Sequence, residues 1–300
     1  MLLVNSGKEY RFHIFCDDIT KEDLEKLRIT AEKFNTIICI YYLNISLLEN
    51  FSKDMAGHEH ISIGAYFRFI AFGALSDICS KVLYLDSDIC ILDNKIKDFW
   101  NIDLKDKIAI VKKEISLNHD EIRLGVKQIF NSGVIFVDIN KWNKRNLTEL
   151  CINKSMERVW PFLDQDVLNI VLDGYLCNFS ERYNYGYNLS TLINNENKPS
   201  KISFKREEAT VLHFVGPSKP WHSWTKYCQV TNIYYLIKSK SEWRDIPLEG
   251  PETKGKLSYK YFHKAARVAK KENDFRNMFL NYICYCKTKI IYLSKRLIKI

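Results

Sequence analysis

The sequence predicts an α/β fold whose sheet has substantial parallel character. Three observations carry this. Strand-length apolar runs alternate with segments of helical period along most of the chain, the pattern of βα units. Several of those runs end abruptly on polar residues, as KVLYL does on Asp86. Finally, a chain that is 46% hydrophobic and 27% charged, with 11 Gly and 6 Pro in 300 residues, can fill a core and is neither collagenous nor low-complexity.

Residues 1–6 read as the last turn of a helix. Residues 11–16 (RFHIFC) alternate and read as a strand. Thr20, with Asp23 three residues on, predicts a helix N-cap, and the helix runs to about Phe34. The β-branched and aromatic run at 36–43 (TIICIYYL) predicts a buried strand. Residues 62–75 form an aromatic-rich helix. Strands follow at 82–85, 108–111 and 133–138 (GVIFVD). A helix spans 164–172, with Gly174 placed to end it. Residues 210–214 make a further strand. Composition shifts only near 247–256, before a basic helical stretch.

Whole function classes drop out. No run of 18 apolar residues exists, so no transmembrane helix is expected. The N-terminus lacks a basic region and a cleavage-like site, which argues against a signal peptide. Nine cysteines without a CxxC pair read as reduced thiols rather than a disulfide framework or zinc site.

The chemistry concentrates at a few points. Asp86 and Asp88 stand at i and i+2 just after an apolar strand, and on extended backbone such side chains point the same way. Paired carboxylates hold a hard divalent cation, which can bridge a diphosphate. At about 4 Å and an effective dielectric near 20, each such charge contact gains roughly 4 kcal/mol. A solvated surface turn is the alternative; the wholly apolar strand that delivers these acids favours the metal.

His213 ends another strand and could add a nitrogen ligand, or serve as a satisfied structural residue. The loop after it carries Gly216, which allows close backbone approach, and Lys219, a point charge suited to phosphate. Asn131, Ser132 and Gly133 precede a strand, as a binding feature or an ordinary turn. Asp164, Gln165 and Asp166 open a helix, where acids also suit the helix dipole. Arg68 sits among aromatics, either snorkelling to solvent or held toward an anion.

Six blocks in order, ISIGAYFRFIAF, KVLYLDSDICIL, IFNSGVIFVDINKW, FLDQDVLN, RYNYGYN and LHFVGPSKPWH, resemble glycosyltransferase family 8. They are closest to the bacterial lipopolysaccharide galactosyl- and glucosyltransferases, and the resemblance covers roughly residues 8–230. It implies a GT-A fold, a UDP-sugar donor, Mn²⁺ (or Mg²⁺) as cofactor and retention of anomeric configuration. It implies that Asp86, Asp88 and His213 are metal ligands, and that Gly216 and Lys219 bind the diphosphate. Arg68, Asn131, Gly133 and Asp164 would hold the donor sugar. Gln165 would lie near the anomeric carbon and act with Asp164 and Arg68 in catalysis. Members of the family begin with a strand that binds uracil and ribose. Residues 1–6 offer no counterpart, so the first βα unit is expected to be missing.

The last 50 residues hold 13 Lys and Arg against three acids, a net of +10, while residues 1–250 carry −1. Phe275, Phe279, Tyr282, Cys286, Ile290, Leu293 and Leu297 recur at helical steps, with Lys287, Lys289, Lys295 and Arg296 off that stripe. An amphipathic helix of this kind suits an anionic membrane surface, or a helix packed on the domain; nucleic acid is not expected.

The expectation is therefore a catalytic GT-A domain over 1–250, N-terminally incomplete, and a membrane-associating segment over 251–300. The enzyme would transfer galactose or glucose to lipopolysaccharide core or another lipid-linked glycan. It would work in the cytoplasm, at the inner face of the cytoplasmic membrane. The alternatives are a catalytically impaired sugar-nucleotide-binding protein at the membrane and a glycogenin-like self-glycosylating enzyme.

Overall fold

The computed structural model of the protein describes residues 2–5, 10–44, 63–114, 119–191, 204–250 and 258–297. The chain divides into two compact units. The first is Met1–Tyr185 with Ala209–Val211, and the second is Gly186–Glu208 with Leu212–Ile300.

The first unit is built on a seven-stranded sheet. Its strands are β1 (Leu2–Asn5), β2 (Tyr10–Cys16), β3 (Ile37–Tyr42), β4 (Lys81–Leu85), β6 (Ala109–Val111), β7 (Val134–Asp138) and β8 (Leu176–Asn178). They are ordered β3-β2-β1-β4-β7-β6-β8. The alternation along β4 and β7 divides their side chains between two cores. Val82, Ile135 and Val137 join Phe69, Phe72, Trp142 and Leu168 on one face. Leu83, Leu85, Val134 and Phe136 join Ile96, Phe99 and Leu104 on the other. A sheet covered on both faces reads as continuous apolar runs, which is how these strands were found in the sequence.

The helices of this unit are α1 (Lys21–Lys33), α2 (Phe67–Ala74), α3 (His119–Leu124), α4 (Ile139–Lys144), α5 (Leu147–Met156) and α6 (Leu163–Val171). Helix α1 begins where expected: the Thr20 hydroxyl oxygen accepts a hydrogen bond from the Asp23 amide at 3.0 Å. Helix α2 follows a 3₁₀ turn over Ile63–Tyr66; the expected start at Ser62 lies outside the described residues. Gly174, at φ +81°, ends α6 as its position suggests.

Three expectations are corrected. Leu2–Asn5 is a strand, not the last turn of a helix; it pairs antiparallel with β2 and with β4. Pairing with neighbours, not local period, decides the state of so short a segment. Strand β3 lies at the sheet edge and has no buried residue, so its apolar run does not mark a central strand. The sheet is also mixed. Pairs β2–β3 and β6–β8 are parallel, whereas β4–β7 and β6–β7 are antiparallel. The Asp86–Asp88 segment thus follows a strand that is antiparallel to its partners.

A three-stranded sheet has the order β5-β10-β9, with β5 at Ile89–Ile91, β9 at Tyr185–Gly186 and β10 at Val211–His213. The division between the units falls within β9 and β10.

In the second unit, α7 (Asn232–Lys240) precedes α8 (Ser258–Lys271) and α9 (Phe275–Leu297). Ala265, Ala266, Val268 and Ala269 of α8 are buried. Lys264 sits 5.2 Å above the Trp224 ring. Asn273, left-handed at φ +60°, ends α8, and the Asp274 carboxylate then caps α9 by accepting from the Asn277 amide at 3.1 Å. The two helices meet through aromatic side chains: Tyr259 lies 5.2 Å from Tyr292, and His263 5.1 Å from Tyr285, between ring centroids. Phe275, Phe279, Ile290 and Leu293 are exposed. The side chains of Lys295, Arg296 and Leu297 lie outside the described residues. Among the described residues, no helix is long and apolar enough to cross a membrane. All nine cysteines are free.

Candidate active site

In the first unit, β4 delivers Asp86 to the sheet end. Tyr84, two residues earlier and therefore on the same face, donates its hydroxyl to Asp86 Oδ1 at 2.7 Å. The Asp86 amide donates to the Gly133 carbonyl, which ties this end to the start of β7. Asp88 lies in the turn that links β4 to β5, so the two acids are brought forward by a turn rather than by continued strand.

Arg68, the second residue of α2, is 5% exposed. Burial excludes snorkelling, and the side chain is committed to acids and carbonyls. Nη2 donates to Asp86 Oδ1 at 3.1 Å, Nη1 to the Ser132 carbonyl at 2.6 Å, and Nε lies 3.0 Å from Asp164 Oδ2. The guanidinium stacks 4.3 Å from the centre of the Tyr84 ring. Burial alone would weaken its hold on the proton; Asp164, then Tyr84 and Asp86, outweigh burial and keep Arg68 charged. The opposite balance holds at Asp164. Burial pushes its carboxyl up to about 6 against the downward pull of Arg68.

Asp164 and Gln165 open α6. The residue before them, Leu163, is left-handed at φ +45°, a conformation that costs an L residue roughly 1–2 kcal/mol. Ser132 Oγ donates to Asp164 Oδ2 at 3.3 Å. Gln165 Oε1 accepts from Asn131 Nδ2 at 3.3 Å and from the Ser132 amide at 3.2 Å. Asn131 Oδ1 accepts in turn from the Gly133 amide at 3.0 Å and from Asn184 Nδ2 at 2.9 Å. The turn before β7 is thus both an ordinary side-chain-stabilised turn and part of a polar network. Arg68, Asp86, Asn131, Gly133, Asp164 and Gln165 all belong to that network.

Sequence reasoning did not single out Tyr84, Asn184 or Asn169 for it. Asn169 donates to the Gln165 carbonyl at 2.8 Å and bonds both backbone groups of Phe130. Its step of four from Gln165 and Tyr84's step of two before Asp86 are signals the sequence did contain.

In the second unit, His213 ends β10 and is 3% exposed. Its imidazole, like the carboxylates of Asp86 and Asp88 in the first unit, is a side chain able to ligate a metal ion. Two carboxylates and an imidazole suit Mn²⁺, which accepts hard oxygen and borderline nitrogen ligands together. Gly216 is left-handed at φ +82°, and an added Cβ would stand 3.0 Å from Asn188 Oδ1, so both space and conformation select glycine. Lys219 donates from Nζ to the Phe214 carbonyl at 2.8 Å, which folds the loop back on itself.

The family model described as glycosyl transferase family 8 matches residues 1–225. A lipopolysaccharide 1,3-galactosyltransferase of Salmonella typhimurium is 30% identical, covering 97% of this chain and 86% of the relative. A lipopolysaccharide 1,2-glucosyltransferase of Escherichia coli is 27% identical, covering 86% and 78% respectively. Among solved structures, the galactosyltransferase LgtC in complex with donor and acceptor sugar analogues superposes with a TM-score of 0.61 at 23% identity. That superposition covers 78% of this chain and 88% of LgtC. The α/β architecture is therefore the GT-A fold of those transferases.

Proposed function

The chain belongs to glycosyltransferase family 8, and from that premise we propose that it moves galactose or glucose from a UDP-sugar, with retention, to lipopolysaccharide core or another lipid-linked glycan. The observation that carries this reading is the buried network Arg68–Asp164–Ser132–Gln165 attached to Asp86.

Asp86, Asp88 and His213 would hold Mn²⁺, with Mg²⁺ as substitute. A bound cation supplies charge stabilisation to the departing diphosphate. Gly216 and Lys219 serve the same diphosphate, the glycine by close backbone approach and the lysine by its charge. Arg68, Asn131, Gly133 and Asp164 orient the donor sugar. Arg68 is suited to this because its guanidinium is already fixed by acids and a carbonyl, so binding costs it little further ordering.

Gln165 lies near the anomeric carbon. Its amide is a poor nucleophile, and the neighbouring carboxylates are engaged: Asp164 with Arg68, and Asp166 with Arg123. Same-face attack by the acceptor hydroxyl therefore explains retention better than a covalent intermediate. The exposed apolar stripe of α9, flanked by Arg276, Lys287 and Lys289, supports peripheral attachment to the anionic inner face of the cytoplasmic membrane, where a lipid-linked acceptor is met.

The test is UDP release and sugar transfer with UDP-galactose and UDP-glucose, with and without Mn²⁺. Metal-dependent release from one of them is expected. Asp88→Asn keeps the side-chain volume and removes an anionic ligand, so it should cut that activity at least a hundredfold while thermal unfolding stays near wild type. Full activity in this variant would sink the metal assignment. Absence of UDP release by the wild type from either donor would sink the donor assignment.

A further inference from the structure

Helix α6 begins under constraint. Leu163 is left-handed and buried, and the two residues after it are the pair assigned to the donor sugar. Something must hold this first turn in place, and the contacts of Asp166 identify it. Asp166 is 2% exposed. Its Oδ2 accepts from the Phe162 amide at 3.2 Å, closing a loop around Leu163, Asp164 and Gln165.

The other partner comes from a different element. Arg123 of α3 places both terminal nitrogens on the Asp166 carboxylate, Nη1 to Oδ2 and Nη2 to Oδ1, each at 2.8 Å. Its guanidinium also lies 5.6 Å from the centre of the Phe162 ring, and Nε donates to Asp120 at 2.9 Å. Helix α3 is a thin surface element whose Ile122 is 80% exposed. A planar fork reaching from such a helix to a buried carboxylate fixes the direction as well as the position of that carboxylate, which a lysine cannot do.

We propose that the Arg123–Asp166 fork positions Asp164 and Gln165 for sugar transfer. Arg123 and Asp166 are positioning residues and do not touch substrate. With both Asp166 oxygens engaged by the fork, that acid is also withheld from attack on the sugar. This inference rests on the assignment of Asp164 and Gln165 to the donor sugar.

The experiment uses the full chain with Arg123→Lys, Arg123→Ala and, in parallel, Gln165→Ala. For Arg123→Lys we expect kcat to fall at least tenfold, with donor KM within threefold of wild type and unfolding temperature nearly unchanged. A lysine variant with wild-type kcat overturns the proposal. A fall in unfolding temperature with kcat intact also overturns it, because the fork would then be structural only.

A second measurement does not depend on activity. Hydrogen exchange of the peptide spanning residues 160–168 should quicken at least tenfold in Arg123→Ala, and unchanged protection there overturns the proposal. If Gln165→Ala keeps wild-type kcat while Arg123→Lys loses it, the fork acts on the site through Asp164. In that case the assignment of Gln165 fails and the fork stands.

Discussion

In the first unit, Arg68 is 5% exposed and Asp164 4%, although both are ionisable. In the second unit, Phe279 is 64% exposed and Ile290 66%, although both are apolar. These regions depart from ordinary burial in opposite directions. The core of the first unit obeys it: Phe69, Phe72, Phe136 and Trp142 are fully buried. A buried ion is tolerated only when paired and hydrogen-bonded, and an exposed apolar stripe is retained where another phase covers it. The difference lies in what completes each region. Arg68 and Asp164 are completed from within by Asp86, Tyr84 and Ser132, whereas the α9 stripe is exposed. Stability measurements should therefore respond to the first region, and partition measurements to the second.

The largest expected effect comes from unpairing the buried ions. Arg68→Met keeps length and removes the charge, leaving Asp164 without its cation. Breaking a buried pair from one side costs about 3–5 kcal/mol. Chemical denaturation should show that loss, together with loss of transfer. A stability within 1 kcal/mol of wild type would mean that the pair behaves like an exposed one.

The next effect is a pH dependence of the metal-free protein. The Asp164 carboxyl is raised to about 6 in the fold, above the usual carboxylate range. The folded state therefore binds this proton more tightly than the unfolded chain does. Stability contributed by Asp164 is greatest below about pH 4, declines as pH rises to about 6, and is level beyond that. A rise of about two units corresponds to roughly 3 kcal/mol. Asp164→Asn should lack that slope, so the difference between the two stability–pH curves should change between about pH 4 and 6. Parallel curves would show that Asp164 titrates as it does unfolded.

Much of the contrast was legible in the sequence, and what was not has a physical cause. The α9 stripe is a local repeat, so its period was readable. Asp86 and Asp88 were readable because an apolar strand runs straight into them. The alternatives at Arg68 stayed open because its acceptors come from elsewhere in the chain: the Asp86 carboxylate is 18 residues away and the Ser132 carbonyl 64. Arg123 escaped notice for the same reason, since its partner Asp166 stands 43 residues on. Strand β3 was misread because six apolar residues look alike at the edge and in the middle of a sheet; only the partner strands decide.

A smaller effect is expected from the stripe. Fully burying a phenylalanine side chain is worth about 1.5–3 kcal/mol. Phe279→Ser should therefore weaken binding to vesicles containing anionic lipid by roughly tenfold to a hundredfold, with the unfolding temperature unchanged. High salt should weaken wild-type binding without abolishing it, because it screens Arg276, Lys287 and Lys289 but not the apolar contact. If Phe279→Ser instead lowers the unfolding temperature and leaves vesicle binding intact, the stripe belongs to the fold and the contrast drawn above fails.

The smallest effect calibrates the others, since it concerns a feature that follows the ordinary rules. Thr20 is exposed, and its hydroxyl oxygen accepts from the Asp23 amide at 3.0 Å while the hydroxyl donates to Asp23 Oδ2 at 2.7 Å. Loss of such a cap costs typically about 1 kcal/mol. Thr20→Ala should lower stability by that amount, with no effect on transfer and none on vesicle binding. Helix α1 has no buried residue and rests on local interactions and strand β3, so the loss is confined to it. If Thr20→Ala cost as much as Arg68→Met, the large effect at Arg68 would reflect a generally fragile first unit. A clear separation between the two assigns that effect to the buried ions themselves.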